Sequence, residues 1–259
     1  MQRYVYGIIR AETVLEFDVE GLGKGAPKPQ SYPLGDGLAM VSTSFSGEQI
    51  RPSRRNMLTH TKVLEHVMQG HDVLPIRFGT VLPDAEEGQA MLRANKAQFL
   101  KAFDDVGGCH ELSLKIIWRD GIAFQEVIDA DDALRAARDA LAQRDPRQSH
   151  YERIEFGKQV EAAIAAKREK EAKELRMRLQ HLCTDFAEGA VSDDVMIANF
   201  SMLVTPEQEA QVDKAVNLLD DVHGERLTFR YVGPMPPFTF VELKIDPARP
   251  VSVPKMQRA

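Results

Sequence analysis

Apolar and polar residues alternate along several short segments of this chain, a period of two that is typical of half-buried β-strands. The clearest is ELSLKIIW at residues 111–118, where every second side chain is apolar. By this pattern, or by aromatic and β-branched composition, strands are also predicted at residues 4–9, 38–45, 73–82, 198–204 and 227–231. Pro75 indicates that 73–82 is an edge strand or that Pro75 lies in its first residues, because proline has no N–H to donate to a neighbouring strand.

A period of three to four residues predicts helices between these strands. The first begins after the N-cap Ser53 and ends at Gly70, with an apolar stripe of Met57, Thr61, Leu64, Val67 and Met68. The second begins at Asp84, which has Glu87 three residues later, and ends at Gly107-Gly108. Its apolar positions are Leu92, Phe99, Phe103 and Val106.

The second half of the chain is predicted to be rich in helix. One helix covers residues 131–144, and another begins with the capping box Thr205-Pro206-Glu207-Gln208 and ends at Gly224. The stripe of that last helix is Val212, Ala215, Val216, Leu219 and Val222. By contrast, the glycine- and proline-rich segment at residues 21–33 is predicted to be a mobile loop.

A long helix is predicted from Tyr151 to Phe186, because no proline or terminal glycine interrupts the segment. It would span more than about 50 Å at 1.5 Å per residue. Its middle, AAKREKEAKE at residues 165–174, is charged on nearly every side, which indicates a solvent-exposed or bridging helix. The pairs Lys167–Glu171 and Glu169–Lys173 have the spacing that supports an exposed helix.

These elements predict an α+β fold with two domains, since 259 residues are comfortable for two cores. The predicted ranges are 1–107 for an N-terminal α+β domain, 108–245 for a C-terminal domain with a long helical insertion, and 246–259 for a flexible tail. The order strand, helices, strand, helix, strand in the second half is like a ferredoxin-type βαββαβ sheet in which one strand is not evident.

Charge and composition narrow the classes of function. The net charge of −6 provides no broad basic surface, so nucleic acid is not an expected partner. Cys109 and Cys183 match no zinc spacing and suggest no disulfide framework, which fits a reducing cytoplasm. We find no secretory signal pattern and no run of 18 apolar residues, so neither secretion nor a membrane span is expected.

The segment RPSRRNMLTHTKVLEHVMQGHDVLPIRFGT at residues 51–80 has the residues that a phosphate-binding site would use. Arg54 and Arg55 lie in the first helical turn, where positive charge opposes the helix dipole, so they meet an acidic partner, form an ion pair or remain solvent-exposed. Arg77 is expected on the outward face of its strand. His60 is expected on the apolar stripe as a partly buried, hydrogen-bonded residue.

Recognisable catalytic motifs and metal-ligand spacings do not appear in the sequence. The loop GLGKG at residues 21–25 lacks the helix with Ser or Thr that would make it a nucleotide site. No catalytic residue, cofactor or metal is therefore predicted. The alternative is an enzyme that acts on a phosphorylated ligand through Arg54, Arg55 and Arg77.

Three segments together resemble the gas vesicle protein F/L family (GvpF/GvpL). They are YVYGII near the start, SRRNMLTHTKVLEHVM followed by VLPIRFGTV, and RLTFRYVGPMPPFTFVEL near the end, in one consistent order from residue 4 to residue 243. The resemblance implies two α+β domains, the C-terminal one a modified ferredoxin-like sheet. It also implies a non-enzymatic accessory or minor structural protein of gas vesicles, associated with the shell in the cytoplasm.

The partners implied by this resemblance are the gas vesicle shell protein (GvpA type) and other gas vesicle accessory proteins, with no nucleic acid and no membrane. The candidate partner-binding residues are Arg54, Arg55, His60, Arg77, Phe238 and Phe240. Phe238 and Phe240 belong to an aromatic turn whose prolines prevent it from continuing a sheet, so it is expected to be exposed.

Overall fold

The computed structural model describes residues 1–23, 25, 27–46 and 50–243, and the chain forms two compact units. The described part of the first unit lies within residues 1–111 and 234–243, and the second unit is Leu112–Gly233. That residues 1–107 and 108–245 each fold independently stays a prediction. The tail predicted at residues 246–259 lies outside the described residues, as does Lys24 of the GLGKG loop.

The first unit contains a sheet of order β2-β3-β1-β4, with β5 also paired to β1. The strands are β1 (Arg3–Arg10), β2 (Gln30–Gly35), β3 (Leu38–Ser44), β4 (Val73–Pro75) and β5 (Val81–Leu82). The β1–β3, β1–β4, β1–β5 and β2–β3 pairs are all antiparallel. The helices of this unit are α1 (Arg54–Met68) and α2 (Ala85–Val106). The side of β1 that carries Tyr4, Tyr6 and Ile9 shares a core with Val63, Leu64 and Val67 of α1.

Both helices of the first unit begin as predicted. Ser53 accepts a hydrogen bond from the backbone N–H of Asn56, and Asp84 accepts one from that of Glu87. The predicted apolar face of α1 is wrong in part, because Met57 is 52% exposed. The buried residues of α1 are His60, Val63, Leu64 and Val67.

Two strand predictions in the first unit are corrected by the structure. The continuous strand predicted at residues 73–82 is wrong: β4 and β5 are separated by a turn in which Gly79 has φ 89°, outside the extended region. The predicted loop at 21–33 ends earlier, because residues from Gln30 onward pair with β3. Pro33 is tolerated in β2 because this strand is at the edge of the sheet. The edge position predicted from Pro75 is confirmed for β4.

The second unit has the strand order β7-β8-β6-β9, with the connectivity βαββαβ that the sequence predicts. Its elements are β6 (His110–Trp118), α3 (Ile122–Ala130), α4 (Asp132–Ala142), α5 (His150–Leu179), β7 (Asp185–Glu188), β8 (Met196–Val204), α6 (Pro206–His223) and β9 (Leu227–Met235). The chain passes between the units within β6 and again within β9. The strand that was not evident from the sequence is β7, which pairs antiparallel with β8.

The long helix is shorter than predicted. α5 ends at Leu179 and is followed by a 3-10 turn at Gln180–Leu182, so Phe186 lies in β7 rather than in the helix. Its 30 residues span about 45 Å. The prediction that its charged middle is solvent-exposed is also wrong in part, because the Glu171 side chain is only 14% exposed.

The core of the second unit follows the predicted alternation closely. Leu112, Leu114, Ile116 and Trp118 are buried in β6, and Ala198, Phe200, Met202 and Val204 are buried in β8. The capping box before α6 is complete, with the Thr205 and Gln208 side chains each bonded to the other's backbone N–H. Val222 is 65% exposed, so its predicted core position is wrong.

Candidate partner-binding surfaces and the networks behind them

The motif residues of the first unit form a cluster of rings in which Tyr4, Tyr6 and His60 are buried and Phe78 is partly buried. The Tyr4 Oη lies 2.8 Å from His60 Nδ1 and accepts a hydrogen bond from the Gly79 backbone N–H at 3.2 Å. The His60 ring packs on Tyr6 and Phe78 with centroid distances of 5.5 and 5.7 Å. This ring cluster therefore joins β1, α1 and the turn after β4.

The protonation state of His60 follows from its partners. The Tyr4 hydroxyl accepts from Gly79, so its single proton is available for His60 Nδ1, and the imidazole proton is then on Nε2. Burial lowers the pKa of His60 to about 4, although an interaction with the Ile76 backbone opposes this shift. The imidazole is therefore neutral at pH 7. With a side chain only 3% exposed, it does not reach the surface to carry protons.

The Tyr6 side of the ring cluster fixes the glycine-rich loop. The Leu22 backbone N–H donates to Tyr6 Oη at 2.6 Å, and the Thr43 hydroxyl donates to the Leu22 carbonyl at 3.0 Å. Gly21 is closely enclosed, since a Cβ there would lie 2.4 Å from the Pro27 carbonyl oxygen. The described part of this loop is packed against the sheet, and this close packing is a structural reason for glycine at position 21.

The three arginines of the same motif face solvent. Arg54, Arg55 and Arg77 are exposed, and their side chains make no hydrogen bond or ion pair with any residue that the structure describes. Arg54 shares a helix face with Met57 and Leu58, which are 52% and 50% exposed. We call Arg54, Arg55, Met57 and Leu58 the α1 face. It combines unpaired positive charge with exposed apolar surface.

Within the part of the chain that the structure describes, Arg77 is connected to α1 through its neighbour in the chain. It precedes Phe78, whose ring packs against His60 of α1. Its backbone carbonyl accepts hydrogen bonds from both the Thr80 hydroxyl and the Thr80 N–H, which closes the turn. His60 therefore contacts Phe78 in the segment Arg77–Gly79, while the guanidinium of Arg77 remains outside the ring cluster.

The second candidate surface is the turn formed by residues 236–241, which we call the Phe238 turn. Pro236 and Pro237 are buried, whereas Phe238 is 40% exposed and Phe240 is partly buried. The carboxylate of Glu111, only 3% exposed, accepts hydrogen bonds from the Thr239 N–H at 2.8 Å and the Thr239 hydroxyl at 2.6 Å. Sequence reasoning missed Glu111, since its partner is 128 positions away.

An ionic network lies inside the second unit and consists of Glu126, Lys167, Glu171, Arg226 and Trp118. Arg226 donates to both carboxylate oxygens of Glu126 at 2.7 and 2.6 Å and to Glu171 at 2.6 Å. Lys167 lies 2.8 Å from Glu126 and 2.9 Å from Glu171. The Trp118 indole N–H donates to Glu171 at 2.9 Å. This Arg226 network fixes α5 to α3 and to the sheet.

The pKa shifts in the Arg226 network all favour the charged forms. Hydrogen bonds from Arg226, and then from Lys167, lower the pKa of Glu126 to about 2 despite its partial burial. Burial alone would lower the pKa of Lys167, but its hydrogen bonds to Glu126 and Glu171 outweigh burial and raise it. Each charge has an opposite charge beside it, so the network is internally compensated and stabilises the fold.

Metal-ligand clusters and reactive thiols are two further kinds of site to consider in the described residues. Across these residues, no group of three or more His, Cys, Asp or Glu side chains is arranged to hold a metal ion. Burial raises the pKa of the Cys183 thiol to about 11, and the thiol donates to the Leu179 carbonyl. None of the described helices is both long and apolar enough to cross a membrane.

Comparison with known proteins gives one consistent result. The family model described as gas vesicle synthesis protein GvpL/GvpF matches residues 2–242. Gas vesicle protein F of Microcystis aeruginosa (strain PCC 7806) is 28% identical over 243 residues, which are 93% of this chain and 98% of that protein.

Two solved structures are similar along almost their whole length. The crystal structure of GvpF from Anabaena sp. PCC7120 has a TM-score of 0.80 at 28% identity and covers 93% of this chain and 98% of its own. The crystal structure of GvpF from Microcystis aeruginosa has a TM-score of 0.76 at 28% identity, with 93% and 99% covered.

Proposed function

This chain belongs to the GvpL/GvpF gas vesicle family, as its resemblance predicted, and from that membership we propose that it is a non-enzymatic protein that binds the gas vesicle shell protein during assembly. Its role is related to gas vesicles, and the proposal adds the shell protein and other accessory proteins as its partners. It acts at the shell, in the cytoplasm. The observation that carries the proposal is the match over residues 2–242.

The Phe238 turn is the first contact that we propose for the shell protein. Buried prolines and the Glu111–Thr239 hydrogen bonds hold this turn in one conformation. An exposed aromatic ring on a rigid support loses little conformational entropy on binding, which favours its use as an anchor. Phe238 has this arrangement.

A pull-down of the shell protein tests this contact. Phe238→Ala is expected to reduce the captured shell protein by at least about tenfold, as for a central aromatic anchor. Phe124→Ala is the matched control, since Phe124 is also 40% exposed but lies on α3 of the second unit. Equal capture by wild type and Phe238→Ala, with both proteins folded by circular dichroism, would remove the turn as the contact.

The α1 face is the second proposed contact, and Arg77 is a further candidate. Positive side chains without ion-pair partners among the described residues favour an acidic partner, and Met57 and Leu58 add apolar area. The double variant Arg54→Gln/Arg55→Gln is expected to melt like wild type but to yield cells without floating vesicles. Arg178→Gln, an exposed arginine on α5, is the control. Normal flotation of the double variant would exclude an assembly role for these arginines.

The alternative, an enzyme that acts on a phosphorylated ligand through Arg54, Arg55 and Arg77, is weakened by the position of His60. A buried neutral imidazole bonded to Tyr4 is not available as an acid or base at the surface. Calorimetric titration with inorganic phosphate tests the remaining binding claim. Saturable heat that disappears in Arg54→Gln/Arg55→Gln would favour the enzyme.

Immunolabelling of washed vesicles separates a protein of the mature shell from one that acts only in assembly.

A further inference from the structure

Residues 12–20 of the first unit form an extended segment whose side chains alternate, from Val14 to Glu20, between solvent and core. Phe17 is buried in the core shared with α1, and Leu15 and Val19 pack against this core. The opposite side combines Val14, which is 60% exposed, with exposed carboxylates: Glu12, Glu16, Asp18 and Glu20. We call residues 12–20 the acidic segment.

Hydrogen bonds hold the acidic segment in one conformation beside β2. The Leu15 N–H donates to Ser31 Oγ at 2.8 Å, and the Leu15 carbonyl accepts from the Ser31 N–H at 2.8 Å. The Phe17 N–H donates to the Pro29 carbonyl at 3.0 Å. A backbone that is already fixed loses little conformational entropy when a partner binds.

The acidic segment lies beside the C-terminal end of α1. The Phe17 ring contacts the ring of His71, which follows the helix, at a centroid distance of 6.1 Å. Lys28 lowers the pKa of Asp18, and His66 in the last turn of α1 contributes to the same shift, so the Asp18 carboxylate lies within electrostatic reach of His66. The exposed carboxylates therefore begin where α1 ends.

Basic and apolar side chains occupy the other end of α1. Arg55, Leu58, Lys62 and His66 are spaced by three or four positions, so they lie along one stripe that begins in the α1 face and ends near Asp18. The stripe covers about 17 Å at 1.5 Å per residue. One surface of the first unit thus carries the α1 face at one end and the acidic segment at the other.

The two ends of this surface have opposite net charge. We call Arg51, the α1 face and Lys62 the basic end; its arginines and lysine are exposed and form no ion pair with any described residue. Glu65 is the one acidic residue of α1. In the acidic segment, Lys28 pairs with Asp18 at 2.9 Å and offsets one of the negative charges. Each end therefore keeps an excess of its own charge.

We propose that two copies of this chain associate around a twofold axis, so that the basic end of each copy contacts the acidic segment of the other. A surface with positive charge at one end and negative charge at the other is complementary to itself after a half-turn, and the contact then forms twice. Val14 of each copy lies against Met57 and Leu58 of the other, which removes exposed apolar area from water.

A second copy fits this surface better than another acidic partner does. An acidic protein or an anionic lipid surface would contact the cations of α1 but would leave the acidic segment uncovered or repel it. The twofold pair covers both ends at once. The inference rests on the proposed function of the α1 face as a contact surface, and it identifies the acidic partner as a second copy of the chain.

Sedimentation velocity of the full chain tests the twofold pair. In low salt at about 0.1 mM, wild type is expected to sediment with twice the 29.0 kDa mass of the chain. In about 0.5 M salt, its dissociation constant is expected to rise at least about tenfold, because salt screens contacts between exposed charges.

Charge-reversal variants locate the contact. Arg54→Glu/Arg55→Glu and Glu12→Lys/Glu20→Lys each place like charges opposite one another, so each variant alone is expected to be monomeric. An equimolar mixture of the two is expected to restore the dimer mass, because each altered surface then faces the opposite charge. The matched control is Lys170→Glu/Arg178→Glu, which changes the net charge equally at exposed positions of α5. Its dissociation constant is expected to stay within about threefold of wild type.

Circular dichroism checks that each variant is folded, and Arg54→Gln/Arg55→Gln provides a milder change at the same positions. Its dissociation constant is expected to be at least about tenfold higher than that of wild type. A dimer in this assay together with normal flotation of the same variant would exclude the assembly role and leave the twofold pair standing.

Four results would overturn the proposal. The first is a wild type that stays monomeric up to about 1 mM in low salt, which would leave other partners for the α1 face to the flotation test. The second is a dimer that neither charge reversal weakens, and the third is a mixture of the two variants that stays monomeric. The fourth is a mass that increases beyond two copies with concentration, since a twofold contact closes at two and a head-to-tail contact does not.

Discussion

In the first unit the central polar groups are neutral and almost fully buried, whereas the second unit holds a network of ionised side chains that remain partly exposed. Tyr4 bonds to His60, and Tyr6 accepts a hydrogen bond from the Leu22 N–H, with all three rings at 3% exposure or less. Glu126, Lys167 and Arg226 retain side-chain exposures between 24% and 31%. The same family fold thus combines two different ways of satisfying polar groups.

This difference predicts different responses to the solvent. Neutral hydrogen bonds in a dry core are insensitive to salt but respond to the titration of His60. Ion pairs near the surface are screened by salt and depend on ionised carboxylates. Hydrogen exchange measured by mass spectrometry on peptides from each unit follows the stability of the two units in one experiment, because exchange reports local stability. The four predictions below use this readout.

The largest effect is expected for His60→Ala in the first unit. It leaves the Tyr4 hydroxyl without its Nδ1 partner and opens a cavity between Tyr6 and Phe78, which costs about 3 kcal/mol of unfolding free energy. Exchange should accelerate in β1 and α1 before it does in β8 and α6. Met57→Ala, on the exposed side of the same helix, is the control and should leave exchange unchanged. Equal acceleration of hydrogen exchange in both units would contradict a stabilising role for His60 that is specific to the first unit.

Mild acid should weaken the first unit before the second. The pKa of His60 is lowered from its ordinary value of 6.5 to about 4, so the unfolded chain binds more protons between these values. Stability from His60 is complete above pH 6.5 and falls by roughly 3 kcal/mol, at most, as pH decreases toward 4. The pKa of Glu126 is lowered from 4.5 to about 2, so its contribution is lost only below pH 4.5.

His60→Gln removes this titration and is the control for the acid experiment. The variant should show no additional loss of protection in the first unit between pH 6.5 and 4. A wild-type first unit whose exchange, corrected for intrinsic rates, is constant over that range would contradict the buried, neutral His60.

Arg226→Gln should destabilise the second unit by about 2 kcal/mol, because Glu126 and Glu171 then share only Lys167 as a counter-charge. Thermal melting and exchange in α3 and α5 measure the loss. In wild type, a change from low salt to about 1 M salt should weaken the same segments and leave the ring cluster protected. Glu169→Gln, an exposed charge on α5, should have no effect. If salt accelerated exchange only in the first unit, ion pairs would not be the salt-sensitive contribution to stability in the second unit.

The smallest effect is expected for Thr239→Val, which removes one of the two hydrogen bonds that the buried Glu111 carboxylate accepts in the Phe238 turn. The expected loss is about 1 kcal/mol, observed as faster exchange at residues 236–241. The Thr239 N–H still donates to Glu111, so the turn keeps its conformation. Val232→Thr, an exposed position on β9, is the control. Unchanged exchange in the turn would show that the hydroxyl contributes nothing there.

Local signals in the sequence determined much of this structure. Ser53, Asp84 and Thr205 were each predicted as caps and each accepts the hydrogen bond that a cap accepts. The alternation in residues 111–118 and 198–204 predicted the buried faces of β6 and β8. These features depend on residues within one helical turn or one strand, so they are readable without knowledge of the fold. The family followed from three motifs in consistent order.

Tertiary structure decided the features whose partners are distant in the chain. β7 has four residues and no clear alternation, and it is a strand because it pairs with β8. The charged middle of α5 is partly buried because Glu171 meets Arg226, 55 positions away, and Glu126 meets Arg226 across 100. The break between β4 and β5 depends on Gly79 and its contact with Tyr4. A hydrophobic period records only which side of an element is apolar, whereas a buried charge is stable only where the fold places an opposite charge beside it.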